Sequence, residues 1–597
     1  MILTQLQTKK WNLARVHPGD GESPIQEQIQ EILLYIDETQ GELGNYVSIE
    51  TAEAVEVTGR VQELYTKVFD MDEYIFCIRA EDVHNQKAQS FGDQSNRVKA
   101  KMDTLLLAYS QYLARIPEES WQAFLQHPAI AGMERFVTEQ RKKVKDQLDP
   151  DLEKVIHSLS IHGFDGWEDH YMEEFARLTV PVRNDDGTEN LSFDMAYVRA
   201  MLSNDRETRQ EIAGSLLKVC RENEDRFASI FNHFVGYRNE LYRLRGWTNP
   251  LKEMLEQNRI SEASINSMMQ ALHKNKSLLH RFLKRKAELT QVEKVSWYDI
   301  YAPTFTSQAT LTYEEAADIV IGRFRDYNEK LGRFAENAFA DGWIDAEPSN
   351  AKRHGAFCAS FPQSKESRVM LSFTGYYQDV VTIAHELGHA YHNSLLYEEP
   401  GFSHKVGTGL AETASTFAEN LVLDAAIDSA PTQEDRLSLL EMKITNGLKY
   451  ITYIPAKFEF EQRFYHKRRS QKLSASELVQ LMETTERDWF EDSLEEVHAH
   501  NWMSIPHYFN TEKAFYNLPY TIGYLFSNGM YSLFQLEKET FPKRYDQLLR
   551  SSGNHSMEHL GHQFLQQDLC APSFWETAIK PLEEAIIQYL EETKEYC

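Results

Sequence analysis

The chain has 597 residues, and its 91 acidic and 63 basic side chains give a formal net charge of −28 at pH 7. Hydrophobic residues make up 42% of the sequence and aromatic residues 12%, which is enough apolar material for a large core and excludes general disorder. The negative charge opposes contact with a phosphate backbone, so we expect no nucleic-acid partner.

Helical patterns dominate the first part of the chain. From Pro24 to about Ile116, apolar residues recur three and four positions apart, with few glycines or prolines between them. The composition changes near Val180–Val182, and Asn184–Gly187 has the sequence of a turn with a possible strand on either side. We therefore expect long N-terminal helices followed by a short hairpin.

A domain boundary is expected just after this hairpin, near residue 200. It divides the chain into an N-terminal helical domain, residues 1–200, and a larger domain, residues 201–597. No internal repeat and no Gly/Ser-rich linker separates the two. We therefore expect two interlocked parts and not two tethered domains.

The second part is also mainly helical, with one segment of strand character. Helical spacing continues to about Tyr298, with a local stop at Asn249-Pro250. Residues Arg368–Phe373 favour a strand, and a strong helix begins near Tyr377. The predicted fold class is mainly α, with a small β-sheet next to that helix.

Two features bear on membranes and location. The segment Ala514–Leu536 has no charged residue and could span a bilayer, but Asn517, Pro519 and other polar residues interrupt it. We interpret it as a buried segment and predict no membrane association. The five cysteines are far apart with no CxxC pair, and the N-terminus lacks the apolar core of a secretory signal. Both observations predict a cytoplasmic protein.

A zinc-binding pattern, HExxH, lies in the helix that begins near Tyr377. The run His385-Glu386-Leu387-Gly388-His389 places two imidazoles four residues apart on one helix face, where they can bind one metal ion together. Neutral imidazole suits zinc. Glu386 lies about 100° around the helix from His385 and can act on a water without being a ligand. The pattern predicts a zinc hydrolase.

A third ligand is required, because a catalytic zinc site has three protein ligands and one open position. Glu412 lies 23 positions after His389 in a new helical run. This interval allows the first helix to end and a second helix to return past the metal. Glu419, two turns further along the same face, is predicted either to orient a ligand imidazole or to be a surface carboxylate.

The spacing excludes two other classes of zinc peptidase. An aminopeptidase-type site would have its glutamate at position 408, which is Thr408 here. A metzincin would have a glycine and a histidine at the positions of His392 and Leu395. His392 shares a face with His389, but a zinc ion bound there would lie too low on the helix for His385. We predict that His392 packs or forms a hydrogen bond.

Hydrogen-bond donors are concentrated in a late segment that contains His507, Tyr516 and Tyr520. Donors of this kind can stabilise the negative charge that develops on the oxygen of a hydrated peptide carbonyl. A tyrosine-rich helix is also typical of a protein core. Composition alone leaves both interpretations open.

With these residues together, the chain resembles oligoendopeptidase F, within the wider thimet oligopeptidase family of zinc peptidases. The likeness spans roughly residues 200–590. Four segments carry it: Gly355–Cys358, Asp379–His392, Glu412–Asn420 and His507–Phe526. The residues before about 110 contain no diagnostic motif.

The resemblance implies a role for each candidate residue. One Zn²⁺ ion would be bound by His385, His389 and Glu412, and Glu386 would be the general base. The family also places a histidine and tyrosines from the late segment against the scissile carbonyl. These match His507, Tyr516 and Tyr520, of which Tyr520 is the preferred oxyanion donor.

The resemblance also implies a fold and an activity. The fold would be a two-lobed helical body around a deep channel that admits unstructured peptides and excludes folded proteins, with residues 201–597 as the catalytic domain. The strand Arg368–Phe373 would bind the substrate backbone along its edge. The enzyme would be a zinc-dependent oligoendopeptidase that cleaves internal bonds of oligopeptides.

Two alternatives remain open at this point. One is a zinc exopeptidase such as a carboxypeptidase, and the other is a catalytically silent protein that binds peptides. The complete set of ligands, general base and late donors argues against the silent protein. The sequence leaves the cleavage preference and the oligomeric state open.

Overall fold

The computed structural model describes residues 9–17, 22–43, 49–184, 187–306 and 310–596. Helices dominate, and the described strands form one two-stranded and one three-stranded sheet. The predicted mainly α fold is confirmed.

The bounds of the regular elements follow in chain order. The first half contains α1 (Glu22–Leu43), α2 (Thr51–Glu81), α3 (Gln86–Arg115), α4 (Glu118–Leu125), α5 (Glu134–Asp146), α6 (Pro150–Gly163), α7 (Asp165–Ala176), β1 (Thr179–Asn184), β2 (Gly187–Ser192), α8 (Phe193–Leu202), α9 (Arg206–Leu244), α10 (Lys252–Asn258), α11 (Glu262–Asn275) and α12 (Ser277–Leu289). The second half contains α13 (Tyr313–Tyr327), α14 (Glu329–Ala340), β3 (Ile344–Asp345), β4 (Phe357–Phe361), β5 (Glu366–Met370), α15 (Tyr377–Leu396), α16 (Thr408–Asp428), α17 (Gln433–Leu448), α18 (Ile454–Arg468), α19 (Ala475–Phe490), α20 (Leu518–Leu536), α21 (Phe541–Ser551), α22 (Met557–Leu560) and α23 (Pro572–Glu592).

The chain divides into two compact units, each built from three separate segments. Unit 1 contains Met1–Asp146, Ala309–Ala425 and Leu533–Gln567. Unit 2 contains Gln147–Gln308, Ala426–Ser532 and Asp568–Cys597. The segments of the two units alternate along the sequence. The domain boundary near residue 200 stays a prediction.

The N-terminal part of unit 1 is built from long helices, as the apolar spacing predicts. Residues on one face of α1, such as Ile29 and Ile32, are almost fully buried among side chains of α2 and α3. At the start of α3, the Asn85 side chain accepts hydrogen bonds from the backbone N–H groups of Lys87 and Ala88. This cap satisfies donors that the first helical turn leaves without a partner inside the helix.

A three-stranded sheet in unit 1 packs against α15 and confirms the small sheet predicted there. Its strand order is β3-β5-β4, with β5 parallel to β3 and antiparallel to β4. The backbone N–H groups of Leu371 and Phe373, just after β5, donate to the carbonyl groups of Asp345 and Ala346. The expectation that Arg368–Phe373 offers a free edge to substrate is therefore wrong, because β5 is the central strand.

Unit 2 has a core of long helices and aromatic side chains. The ring of Phe231 in α9 lies 4.4 Å from that of Phe464 in α18 and 4.9 Å from that of Phe509. The uncharged segment forms α20, where even the polar side chains of Thr521 and Ser527 are fully buried. Its prediction as a buried segment is confirmed, and none of the described helices has the length and apolarity needed to cross a membrane.

The predicted hairpin is also present in unit 2. Strands β1 and β2 pair in antiparallel register from Thr179 opposite Ser192 to Asn184 opposite Gly187. Residues 185 and 186 of the predicted turn lie outside the described residues. The four cysteines that the structure describes are free thiols. The cytoplasmic location stays a prediction.

Candidate metal centre

Strand β5 leads into α15, and Asp379 fixes the junction. Its carboxylate oxygen Oδ2 accepts hydrogen bonds from the backbone N–H groups of Thr374 and Gly375, at 2.7 and 2.8 Å. Gly375 has a φ of +93°, a conformation that favours glycine. A negative charge is also favourable at a helix N-terminus. Asp379 therefore ties the loop to the first turn of the helix that carries the zinc-binding pattern.

The three predicted metal ligands lie together in unit 1. The Nε2 atoms of His385 and His389, one helical turn apart on α15, are separated by 3.2 Å. Oε2 of Glu412, on α16, lies 3.6 Å from Nε2 of His385 and 3.7 Å from Nε2 of His389. Across the described ranges, these side chains form a group of potential ligand atoms that all lie within 4.8 Å of one another.

The spacing of these atoms fits a zinc ion. Ligand atoms about 2.1 Å from a tetrahedral zinc are about 3.4 Å from one another. The three separations observed here, 3.2, 3.6 and 3.7 Å, lie around that value. Two imidazoles and one carboxylate are also a ligand set typical of catalytic zinc. The residues present therefore fit this metal.

Glu412 reaches the histidines because α15 and α16 come very close at Gly388. A Cβ atom at this position would lie 2.7 Å from the carbonyl oxygen of Ala414 and 2.7 Å from Cα of Ser415. Both atoms belong to the backbone of α16 and cannot move aside as a flexible side chain would. Glycine at position 388 is therefore what allows the beginning of α16 to lie beside the two imidazoles.

The sides of the two rings that face away from the ligand cluster are held by hydrogen bonds. Nδ1 of His385 donates to Oε1 of Glu419, and the His389 ring is bonded to the backbone of Ala411. Such partners fix the ring orientation and the tautomer, which leaves Nε2 to face a metal. Of the two predicted roles for Glu419, the structure favours the orienting one.

Burial and neighbouring charges move the pKa values of the site in different directions. Burial acts to lower the pKa of His385, but the hydrogen bond and the negative charge of Glu419 outweigh it and raise this pKa to about 9. Burial lowers the pKa of His389 to about 4 and raises the pKa of Glu386 to about 7. A carboxyl group with a pKa near neutral can take up and return a proton.

His392 does not join the ligand group, as predicted. Its ring is buried, with Nε2 at 2.8 Å from the hydroxyl oxygen of Ser552 and 3.2 Å from the carbonyl oxygen of Leu549. Both partners lie at the end of α21. This side chain therefore attaches α15 to a neighbouring element of unit 1.

The three late candidates belong to unit 2 and contact one another. The ring centroid of His507 lies 4.6 Å from that of Tyr516 and 5.9 Å from that of Tyr520. The hydroxyl oxygen atoms of Tyr516 and Tyr520 are 3.4 Å apart. The structure thus brings these donors together, while their approach to the scissile bond stays a prediction.

Asn517 holds the ring of His507. Nδ1 of His507 lies 2.8 Å from the side-chain oxygen of Asn517, and burial lowers the pKa of His507, which favours the neutral ring. Nδ2 of Asn517 is buried and makes no hydrogen bond. Which end of an asparagine side-chain amide is oxygen and which is nitrogen is decided from the hydrogen-bond partners around it. If the side-chain amide of Asn517 is turned by 180°, its Nδ2 donates to Nδ1 of His507. The hydrogen of the neutral His507 ring then lies on Nε2.

Family models match two parts of this chain. The model of Peptidase family M3 matches residues 199–578, and the Oligopeptidase F model matches residues 113–179. The first match covers more than half of the sequence. The chain belongs to peptidase family M3.

Relatives and solved structures resemble this M3 peptidase over most of its length. Group B oligopeptidase PepB from Streptococcus agalactiae is 22% identical over 530 residues, 87% of this chain and 86% of the relative. Oligopeptidase PepF from Bacillus subtilis is 20% identical over 586 residues, 96% of this chain and 86% of the relative. The crystal structure of a putative peptidase from Chlamydophila abortus matches with a TM-score of 0.83 and 17% identity, covering 99% of each chain. The structural likeness establishes the fold, and the family match makes the chain a peptidase.

Sequence reasoning missed three residues of this M3 peptidase that position the site, namely Asp379, Gly388 and Asn517. A glycine inside a strong helical pattern is a usable signal of close backbone approach, and it was present at Gly388. Asn517 gives no such signal. Its contact with His507 joins side chains ten positions apart across a loop, where no regular spacing predicts which residues meet.

Proposed function

We propose that this M3 peptidase is a zinc-dependent oligoendopeptidase that hydrolyses internal bonds of short, unstructured peptides. The observation that carries the proposal is the convergence of His385, His389 and Glu412 at zinc-ligand spacing, with Glu386 buried beside the first histidine. The names of the two relatives, both oligopeptidases, support short peptides as substrates.

Three residues would hold the ion, and Glu386 would move the proton. Zinc bound by His385, His389 and Glu412 would acidify the attacking water and polarise the scissile carbonyl. A carboxylate oxygen of Glu386 would accept a proton from that water and then deliver it to the nitrogen of the leaving amine. Burial supports this role, because it raises the pKa of Glu386 above that of an exposed carboxyl group and so makes its carboxylate a stronger base.

The late donors would stabilise the oxygen that gains negative charge. Tyr520 would donate through its phenol O–H, with Tyr516 close to it. His507 would donate through Nε2 when the Asn517 amide donates to Nδ1. Donors fixed in advance stabilise a transition state more than the ground state, because they need no reorientation during the reaction.

The general base is tested by Glu386→Gln. Glutamine keeps the size of the side chain but cannot take up the proton, so kcat should fall by about 100- to 10,000-fold while bound zinc is retained. Metal analysis and cleavage of a fluorogenic peptide should be carried out on the same samples. A variant with normal kcat would remove Glu386 from the mechanism. If the variant instead loses zinc, its low activity reports a role of Glu386 in metal binding.

The two alternatives are tested with a peptide blocked at both ends. An endopeptidase produces internal fragments that mass spectrometry can identify. An exopeptidase cleaves only the matching peptide with free ends. A silent binding protein cleaves neither peptide at any zinc concentration, and that result would overturn the proposed function.

A further inference from the structure

Two of the proposed oxyanion donors lie on either side of one short loop in unit 2. His507 belongs to a 3₁₀ turn, Pro506–Phe509, and Tyr516 directly follows residues 510–515. We refer to residues 510–515 as the donor loop. Because this loop connects the two donors, its path affects how their rings face each other, with centroids 4.6 Å apart.

Two side chains from neighbouring helices hold the beginning of the donor loop. Nη2 of Arg238, in α9, donates to the carbonyl oxygens of Asn510 and Thr511, at 2.8 Å each. Oε2 of Glu168, in α7, accepts hydrogen bonds from the backbone N–H and the hydroxyl group of Thr511, at 2.8 and 2.7 Å. Hydrogen bonds from a charged guanidinium are stronger than those between neutral groups. The first two residues of the loop are therefore firmly attached to α7 and α9.

A third side chain holds the end of the donor loop. Oε1 of Glu461, in α18, accepts a hydrogen bond from the backbone N–H of Phe515 at 3.3 Å. Phe515 has a φ of +52°, a conformation that a bulky residue adopts rarely and only where its surroundings impose it. Its ring also packs against that of Tyr465, with centroids 4.8 Å apart. Because Phe515 directly precedes Tyr516, its backbone angles set the direction in which the chain continues to that donor.

We refer to Arg238, Glu168 and Glu461 as the loop anchors. Together they bond four backbone groups of a loop of six residues. Arg238 is 2% exposed and Glu461 is 1% exposed, and burial of an ionisable side chain costs free energy. Water or a simple turn would satisfy the same backbone groups without this cost. A loop held in a strained conformation by buried ionisable groups, with a proposed donor on each side, is typical of a preorganised site.

We propose that the loop anchors are positioning residues, which hold the donor loop so that His507 and Tyr516 keep the arrangement that stabilises the transition state. The inference rests on the proposed function, because that function gives these donors their role in catalysis. The anchors act through the backbone of the loop and not by contact with the substrate. Since a misplacement of about 1 Å can cost about 100-fold in rate, a loosened loop should lower kcat more than it raises KM.

The main test compares Glu461→Leu with Glu461→Gln in the zinc-loaded enzyme. Leucine removes the acceptor for the Phe515 N–H, so kcat should fall by about tenfold or more while KM stays within about twofold. Bound zinc should be retained, because the proposed ligands lie in unit 1. Burial raises the pKa of Glu461 to about 8, so glutamine resembles the neutral form that prevails at pH 7 and keeps an acceptor oxygen. Glu461→Gln should therefore restore kcat to within about threefold of wild type.

Two further comparisons separate positioning from general stability. Glu486→Leu is the matched control, because Glu486 is 4% exposed and also accepts a backbone hydrogen bond, at 2.8 Å, but from His498, outside the donor loop. It should lower Tm as Glu461→Leu does and leave kcat within about twofold of wild type. In a Tyr516→Phe background, Glu461→Leu should lower kcat by a smaller factor than in the wild type, because the effects of residues that act through one group are not additive.

Glu168→Ala provides an independent variant if Glu461→Leu fails to fold, because Glu168 is only half-buried. It removes the acceptor for Thr511, so kcat should again fall more than KM rises, and Glu168→Gln should restore it. Hydrogen exchange adds a readout that needs no turnover. Residues 510–517 should exchange faster in the folded Glu461→Leu or Glu168→Ala variant than in the wild type and in Glu486→Leu.

The outcomes separate the two proposals. If the wild type cleaves peptides and the folded anchor variants keep a normal kcat, the anchors are not positioning residues, while the proposed function stands. The same conclusion follows if Glu461→Leu and Glu486→Leu lower kcat alike, or if the loss in Glu461→Leu is the same with and without Tyr516→Phe. Absence of cleavage by the wild type would instead overturn the proposed function. In that case, unchanged hydrogen exchange in residues 510–517 of the variants would also overturn the anchoring.

Discussion

At the scale of single residues, three glutamates on two neighbouring helices have different chemistry because their surroundings differ. Glu386 is buried, which raises its pKa to about 7. Glu412 points an oxygen at both imidazoles, and Glu419 accepts a hydrogen bond from the far side of His385. Identical carboxyl groups thus serve as proposed base, ligand and orienting group.

The orienting role of Glu419 is tested by Glu419→Gln. The charge-assisted hydrogen bond to Nδ1 of His385 would be replaced by a weaker neutral one, and we expect zinc affinity to fall by about 10- to 100-fold. The measurement is a competition titration against a chelator of known affinity. Unchanged affinity, with the fold intact by circular dichroism, would return Glu419 to the role of an ordinary surface carboxylate.

The role of Tyr520 is tested by Tyr520→Phe, which removes only the phenol oxygen. If that oxygen stabilises the transition state, kcat should fall by about 100-fold or more while KM changes little. Steady-state kinetics on one peptide provides both values. Tyr524→Phe, on the same helix α20, is the control. A normal kcat in Tyr520→Phe would assign Tyr520 to packing.

At the scale of elements, the approach of α15 to α16 is what creates the ligand set. Gly388→Ala would place a methyl group 2.7 Å from the backbone of Ala414, so α16 must shift, at a cost of about 1–3 kcal/mol. Because Glu412 lies two residues before Ala414, we expect both Tm and zinc affinity to fall. Calorimetry and metal analysis measure these effects.

A second glycine in unit 1 provides the control for that change. Gly322 lies in helix α13, and a Cβ atom added there would meet nothing within 4 Å. Gly322→Ala should leave zinc binding unchanged and keep or raise Tm, because alanine favours a helix by about 1 kcal/mol relative to glycine. If both alanine variants behaved alike, the close approach at Gly388 would not be what holds Glu412 in place.

At the scale of the whole molecule, the division into units predicts where metal removal acts. The proposed ligands all lie in unit 1, and bound zinc should stabilise that unit by mass action. Removal of zinc with a chelator should therefore speed hydrogen exchange in α15 and α16 and leave the core of α9, in unit 2, nearly unchanged. Equal acceleration in α9 would contradict this prediction.

Much of the site could be predicted from the sequence because its spacing is local. The pitch of a helix alone puts His385 and His389 on one face, and the interval to Glu412 allows a second helix to return. The strand prediction for Arg368–Phe373 was close to the observed β5. Its place at the centre of the sheet could not be read from its own residues, since that depends on β3 and β4.

The amino-acid sequence by itself determined the mainly helical fold and the set of side chains able to bind and use a metal, because helical periodicity and motif spacing depend on neighbouring residues. Only the tertiary structure decided that Glu412 lies within ligand distance of both imidazoles and that Glu419 holds the far side of the His385 ring. Those distances depend on backbone approach and packing between segments that are far apart in the chain, such as the contact at Gly388.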